Sequence, residues 1–497
     1  MALDQTRTPV FDALKQYVDQ GTIPFHVPGH KQGEGLPEFT DFVGKRVMEM
    51  DLTCMPDLDN ICNPRGPIKD AEALTAEAYG ADQAFFLTNG TTSGIQAMIM
   101  AVCQPGDKII LPRNAHKSAI SGLIISGVRP VYLEPEMQSD FGVSMGISPE
   151  QVERALKVHP DAKAVFVINP NYYGTASDLE GIVRAAHAVG VPVIADEAHG
   201  AHLYFSDELP LSAMKAGVDL AATSTHKLAG SLTQSSILLI REGLINPQHV
   251  KAVLNLGQTT SPSYILLASL DVARKQMALK GRQLVSDMLE RTYWLRRELG
   301  KIAGIRLLEK QTGATGCHSF DSTKITINVQ GLGMSGYEME KILRSEYRIQ
   351  VELSDLYNVI ILMSIGDTWE AITNLLVVVR EMAAKRPHKN VLKFLPPLPA
   401  LPEVSVLPRE AFYSQTKLIP LEEAEGEISA ESIMAYPPGI PLVCPGEVIS
   451  RDLIEYVVVL KQENADLQGP EDPSLEKIKV IKEVLHMSQA PDAEEVG

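Results

Sequence analysis

Cysteine and long apolar runs are both scarce in this chain. Its 497 residues hold five cysteines, at positions 54, 62, 103, 317 and 444, an odd number with no C-x-x-C pair. That pattern speaks against a disulfide framework and leads to the expectation of a reduced, cytoplasmic protein with free thiols. No apolar run approaches the ~18 residues that suggest a membrane span, so no membrane partner is expected. The start, "MALDQTRTPVFDALKQYV", mixes acidic and basic residues in an amphipathic pattern rather than setting a basic head before an apolar block, and no signal peptide is read there. Basic residues are also in deficit: 45 Lys and Arg stand against 62 Asp and Glu, a net charge of −17. A surface for phosphate backbones needs the opposite sign, so nucleic acid is not an expected partner. A small cationic substrate suits such a field.

What is present is the composition of an ordinary globular protein, 45% hydrophobic and 22% charged. The length suggests roughly two to four domains at ~150 residues each. Residues 1–65 are rich in Gly, Pro and His ("IPFHVPGHKQGEG", "MPDLDNICNPRGP") and read as an irregular arm lying across another surface. From about residue 66 to 300 short apolar runs ("AFFLT", "KIILP", "PVYLEP", "AVFVINP", "VPVIADEA", "LAATS", "SILLI") alternate with helical stretches. Strands buried on both faces, separated by helices, predict a mainly parallel sheet flanked by helices, with long helices over 264–300. Residues 301–385 predict a smaller α/β domain, 386–403 a proline-rich linker, and 404–497 a C-terminal domain containing "AYPPGIPLVCPGE".

Open α/β sheets bind ligands at the carboxyl ends of their strands. Four strands here end on residues with chemistry. "FFLTNGTTSG" places Thr91, Thr92 and Ser93 at a helix start, where free N–H groups and hydroxyls bind anions or merely cap. "LPRNAHKS" places His116 between a strand and a helix, as a capping residue or as a ring to stack on a flat ligand. "VIADEAHGAH" delivers Asp196, whose buried carboxylate needs a donor or a cation. His199 and His202 follow it, but no third ligand at a matching spacing supports a metal site. "TSTHKLAGS" places Lys227 among small hydroxyl residues, either as a loop lysine or as a nucleophile whose burial eases loss of its proton. Each site has a plain structural reading. Together they describe one ligand: an anionic group on Thr91, Thr92, Ser93, Ser224 and His226, a flat ring under His116, a ring nitrogen facing Asp196, and an aldehyde held by Lys227. That ligand is pyridoxal 5′-phosphate.

At these residues, and at "PFHVPGHKQG", "TTSPSYILLASLD" and "YPPGIPLVCPGE", the sequence resembles the bacterial Orn/Lys/Arg decarboxylases of the aspartate-aminotransferase fold type (fold type I). Within them it is most similar to the short arginine decarboxylases of Gram-positive bacteria that feed polyamine synthesis. The resemblance implies decarboxylation of a basic L-amino acid, arginine first and lysine or ornithine as alternatives. It implies that Lys227 bonds the cofactor, Asp196 partners the ring nitrogen, and His116 stacks on the ring. His199 stands where some large members carry Trp and is expected at the cofactor. A homodimer or an assembly of dimers with shared active sites is expected, with Thr259, Thr260 and Ser261 reaching the neighbour's site. Glu447, at the end of the proline-rich segment, is expected to hold the substrate's distal cation. An aminotransferase would need an Arg for the substrate α-carboxylate, and no Arg is singled out for that task. A non-catalytic protein on the same fold would not need Lys227, Asp196 and the anion cup intact.

Overall fold

The computed structural model describes residues 2–311, 313–386, 399–435, 439–463 and 465–485. Most of the expected linker, and residues 436–438 of the "YPPGIPLVCPGE" stretch, lie outside them.

Seven strands form the central sheet: β1 (Gln83–Leu87), β2 (Lys108–Pro112), β3 (Arg129–Leu133), β4 (Ala162–Ile168), β5 (Val193–Asp196), β6 (Leu220–Thr223) and β7 (Ser236–Ile240). Their spatial order is β1-β7-β6-β5-β4-β2-β3. Strands β3, β2, β4, β5 and β6 run parallel, whereas β7 is antiparallel to both β6 and β1. Alternate side chains enter two separate cores. Ile110, Val165, Val193, Ala195 and Ala221 join one. Ile109, Leu111, Ala164, Phe166, Ile194 and Ala222 join the other. A strand buried on both faces has no polar side to show, which is why these runs read as continuously apolar. The architecture is a mainly parallel sheet between helices, as the resemblance to fold type I enzymes implies.

Register fixes where the strands stop. Asp196 of β5 lies opposite Ile168 of β4 and Ala222 of β6. The carboxyl ends of β2, β4, β5 and β6 therefore open along one edge, where His116, Tyr172, Asp196 and Lys227 follow.

Two regions differ from expectation. Residues 1–65 are not wholly irregular: they contain the helices Pro9–Asp19, Pro37–Val43 and Lys45–Met50. The first of these starts on a proline at its opening turn and buries Val10 and Leu14. Asp271 accepts the Val10 N–H at 2.9 Å, and Arg274 donates to the carbonyls of Gln5 and Arg7. Residues 264–300 form one helix, Tyr264–Leu299, rather than several.

Beyond it, strands Arg306–Leu307, Lys324–Asn328, Leu353–Ser354 and Asn358–Leu362 make a four-stranded antiparallel sheet with the helices Gly336–Tyr347 and Trp369–Ala384. The C-terminal part pairs Gln415–Pro420 with Lys477–Glu483 and carries the helix Arg451–Gln462. Within the proline-rich segment, Ile440–Val443 is an ordinary strand.

Candidate active site

Lys227 sits in the one-turn helix Thr225–Leu228, directly after β6. Its amine lies 2.7 Å from His199 Nε2 and 5.8 Å from the ring centre of Tyr172. Burial lowers the amine's pKa, with Asp196 acting in the opposite sense. Such an amine is nucleophilic at milder pH than a solvated one.

Asp196 ends β5 and is buried. It accepts the Ala198 N–H at 3.0 Å. Burial raises its pKa, against the pull of that N–H and of Lys227. The turn that follows requires Gly200: a Cβ there would stand 2.4 Å from Glu197 Cγ and 3.1 Å from the Asn169 carbonyl. This tight turn brings His199 back over Lys227. The His199 ring meets the edge of Tyr172 at 4.8 Å between centres, and its Nδ1 has no hydrogen-bond partner among the described residues. Burial, then Lys227 and Lys324, hold its pKa well below the usual histidine range.

His116 caps the helix Lys117–Ser126, its Nδ1 accepting the Ser118 N–H at 3.2 Å. Burial, then Lys227 and Lys117, push its pKa down to about 4, so the ring is neutral at ordinary pH. Thr91 and Ser224 do come together, with hydroxyls 2.5 Å apart, and Ser236 lies 2.9 Å from Thr91. No side chain caps the helix Gly90–Val102. Gly90, at φ +72°, turns its own N–H to the Gln234 carbonyl, leaving the next N–H groups at the helix start. Thr92 is exposed there, and Ser93 donates to the Gly90 carbonyl at 2.9 Å. His226 bonds the Ser235 carbonyl through Nδ1 at 2.9 Å, and burial lowers its pKa.

These residues fit pyridoxal phosphate. An uncapped helix start beside three hydroxyls suits a phosphate. A buried carboxylate with one backbone donor suits a protonated ring nitrogen, and a buried amine suits an aldehyde.

Thr260 and Ser261 are exposed, and the Ser261 N–H is satisfied locally by the Thr259 hydroxyl at 3.2 Å. Neither joins Lys227 within this chain. Glu447 requires a correction. It is 1% exposed, and Arg113 grips both its oxygens, Nε to Oε1 at 3.0 Å and Nη2 to Oε2 at 2.7 Å. The Cys444 N–H adds a bond at 2.7 Å. A carboxylate this buried and paired with Arg113 is committed within the chain rather than open to a substrate cation.

Sequence reading passed over Tyr172, Arg113, Asp321 and Lys324, and weighed His202 only as a metal ligand, whereas it is buried against Asp321. Tyr172 follows β4 and could have been found by the rule that strand ends carry sites. Lys324, a cation opening the apolar strand "KITINV", was the other signal.

The chain matches two family models, "Orn/Lys/Arg decarboxylase, major domain" over residues 8–371 and "Orn/Lys/Arg decarboxylase, C-terminal domain" over 397–472. It is 47% identical over 485 residues to the arginine decarboxylase of Bacillus subtilis, covering 97% of this chain and 99% of that one. It is 45% identical over 490 residues to the arginine decarboxylase of Bacillus anthracis, covering 98% and 99%. Among solved structures, the Francisella novicida lysine decarboxylase LdcF superposes with a TM-score of 0.83 at 25% identity, covering 95% of this chain and 81% of that one.

Proposed function

The chain belongs to the Orn/Lys/Arg decarboxylase family, and from that premise we propose that it removes the α-carboxyl group of arginine as CO2, giving agmatine for polyamine synthesis. The observation that carries this reading is the buried Lys227 amine, set at the strand ends beside Asp196 and His199. Near-complete alignment with two arginine decarboxylases supports arginine over lysine or ornithine.

Pyridoxal phosphate, when bound, supplies an aldehyde for an amine and a conjugated ring that accepts the electrons of the broken bond. The chain's own residues do the rest. Asp196 offers a carboxylate that keeps a proton on the ring nitrogen. Neutral His116 offers a flat face without repelling a cation. Thr91, Thr92, Ser93, Ser224 and His226 hold the phosphate. Lys227 would offer its amine to the aldehyde, and His199 Nε2 lies 2.7 Å from that amine.

Residues 23–47 support a homodimer in which neighbouring chains share sites. Phe25 is 94% exposed and Phe42 89%, far more than large apolar side chains tolerate in water as a group. Thr260 and Ser261 are free to reach the neighbour. No helix among the described residues is long and apolar enough to cross a membrane, and we place the enzyme in the cytoplasm.

Product analysis tests the function. The purified protein, given the cofactor and each of arginine, lysine and ornithine, should release CO2 fastest from arginine and form agmatine. A higher kcat/KM for lysine or ornithine would replace the substrate, and no CO2 from any of them would end the reading.

A further inference from the structure

Behind His199 lies a charged cluster that the chemistry above does not use. Asp321, Lys324 and His202 are all fully buried, at 0% exposure, between the central sheet and the four-stranded sheet. Lys324 pairs with Asp321 Oδ2, and His202 Nε2 lies 3.0 Å from the same oxygen. The Thr323 hydroxyl donates to Asp321 Oδ1 at 2.6 Å. Lys324 then reaches across to the main-chain carbonyl of His199, at 2.8 Å. The Asp321 N–H donates to the Gly174 carbonyl at 2.7 Å, two residues after Tyr172, the ring that abuts His199. His199 is thus buttressed twice from the same short stretch, through its carbonyl and through Tyr172.

Stability alone does not explain this arrangement. Taking an ion pair out of water costs several kcal/mol per ion, and apolar side chains of similar volume usually stabilise a core at least as well. What the pair supplies that apolar packing cannot is direction: an ammonium fixed by a carboxylate and aimed at one carbonyl.

We infer that Asp321 and Lys324 are positioning residues, which hold the His199 turn so that its Nε2 stays within hydrogen-bond reach of the Lys227 amine. They touch neither substrate nor cofactor and act through His199. The charges suit the task. Burial raises the Asp321 carboxyl, and Lys324 with His202 more than offsets it, so Asp321 remains ionised and keeps its grip. The inference rests on the decarboxylase reading for its effect on turnover, but not for its effect on the Lys227 amine.

The test is the double substitution D321N/K324M in the full chain. It removes one charge of each sign and leaves no buried ion unpaired. Three quantities are read: the melting temperature, kcat and KM for arginine, and the rate at which an amine-directed reagent labels Lys227 in cofactor-free protein. The melting temperature should hold or rise. We expect kcat to fall about ten- to a hundredfold with KM changed less than about threefold, the mark of lost positioning rather than lost binding. The labelling rate should change by about threefold or more. In a His199→Phe background the double substitution should lower kcat by less than about twofold further, because coupled residues are not additive. Parent-like kcat and labelling in D321N/K324M would overturn the inference, and so would losses that multiply in full with His199→Phe. If the double variant does not fold, Thr323→Val, which removes only a hydroxyl from Asp321, takes its place. A loss of about three- to tenfold in kcat with altered labelling supports the inference, and no change in either overturns it. If the parent chain releases no CO2 from any basic amino acid, the functional reading fails, while the labelling rates still decide this one.

Discussion

Two places in this molecule bury charge at the carboxyl end of a central strand, and they are built in opposite ways. After β2, Arg113 meets Glu447, and the charges of both are met inside the chain. Both carboxylate oxygens are on the guanidinium, which also donates to the Pro441 and Leu442 carbonyls. After β5 and β6, among the described residues, Asp196 has one backbone donor, His199 Nδ1 has no hydrogen-bond partner, and the Lys227 amine bonds His199. A saturated pair fastens the C-terminal segment to the sheet. The second set keeps bonding capacity of the kind that the proposed cofactor would use. The two cannot be told apart by residue type, since both consist of a carboxylate and a cation near a strand end.

The largest effect that would sharpen this contrast is at the unsaturated set. Lys227→Ala should abolish turnover, a fall of at least about ten-thousandfold in kcat, equivalent to more than about 5 kcal/mol, with no covalent bond to the cofactor. Absorbance of the bound cofactor and product release check it. Activity without an added amine would remove Lys227 from the reaction.

At the saturated pair the effect should be on folding instead. Glu447→Ala leaves Arg113 buried and unpaired, which should cost about 3–5 kcal/mol of stability, while KM for arginine in the surviving fold changes little. Denaturant unfolding and steady-state kinetics separate the two. A raised KM with unchanged stability would restore Glu447 to the substrate and break the comparison.

Asp196→Asn should keep the cofactor but lose about 1.5–3 kcal/mol of charge-assisted bonding, hence about ten- to a hundredfold in kcat. A parent-like rate would mean that the ring nitrogen has another partner.

His116 gives the smallest effect, and it is a matter of pH. Its pKa is depressed in the folded chain, to about 4 against an ordinary 6.5. Between those values the unfolded chain takes up a proton that the folded one refuses, so stability rises with pH there and is lost as pH falls. At ~1.4 kcal/mol per pH unit, discounted for partial exposure, the loss is about 1–2 kcal/mol. His116→Phe should remove that part of the acid destabilisation in cofactor-free protein. An identical pH dependence of unfolding in both proteins would show that His116 is not the group that titrates.

Much of this was legible in the chain itself. The strands of the central sheet announce themselves as short apolar runs because burial on both faces leaves no room for polar residues. The placement of Lys227, Asp196 and His116 at the strand ends was readable because each closes or follows such a run, and a strand's end is where a sheet opens. Secondary structure in residues 9–19 was not legible from the glycine- and proline-rich character of the arm as a whole, since its support is Asp271 and Arg274, more than two hundred residues away.

What the sequence by itself determined was therefore local: which segments are apolar on both faces, which residues close them, and what ligand those residues could share. Only the tertiary structure decided how each charge is used. Glu447 and Asp196 are both acidic residues at the end of a buried segment, and no count of neighbours along the chain distinguishes them. Arg113 lies 334 positions from Glu447 in sequence and touches it in space. Lys324, 125 positions from His199, bonds its carbonyl. Electrostatic pairing acts over a few ångströms of space and takes no account of chain distance. Whether a carboxylate is spent or available is thus fixed by packing, after the strands have found their order.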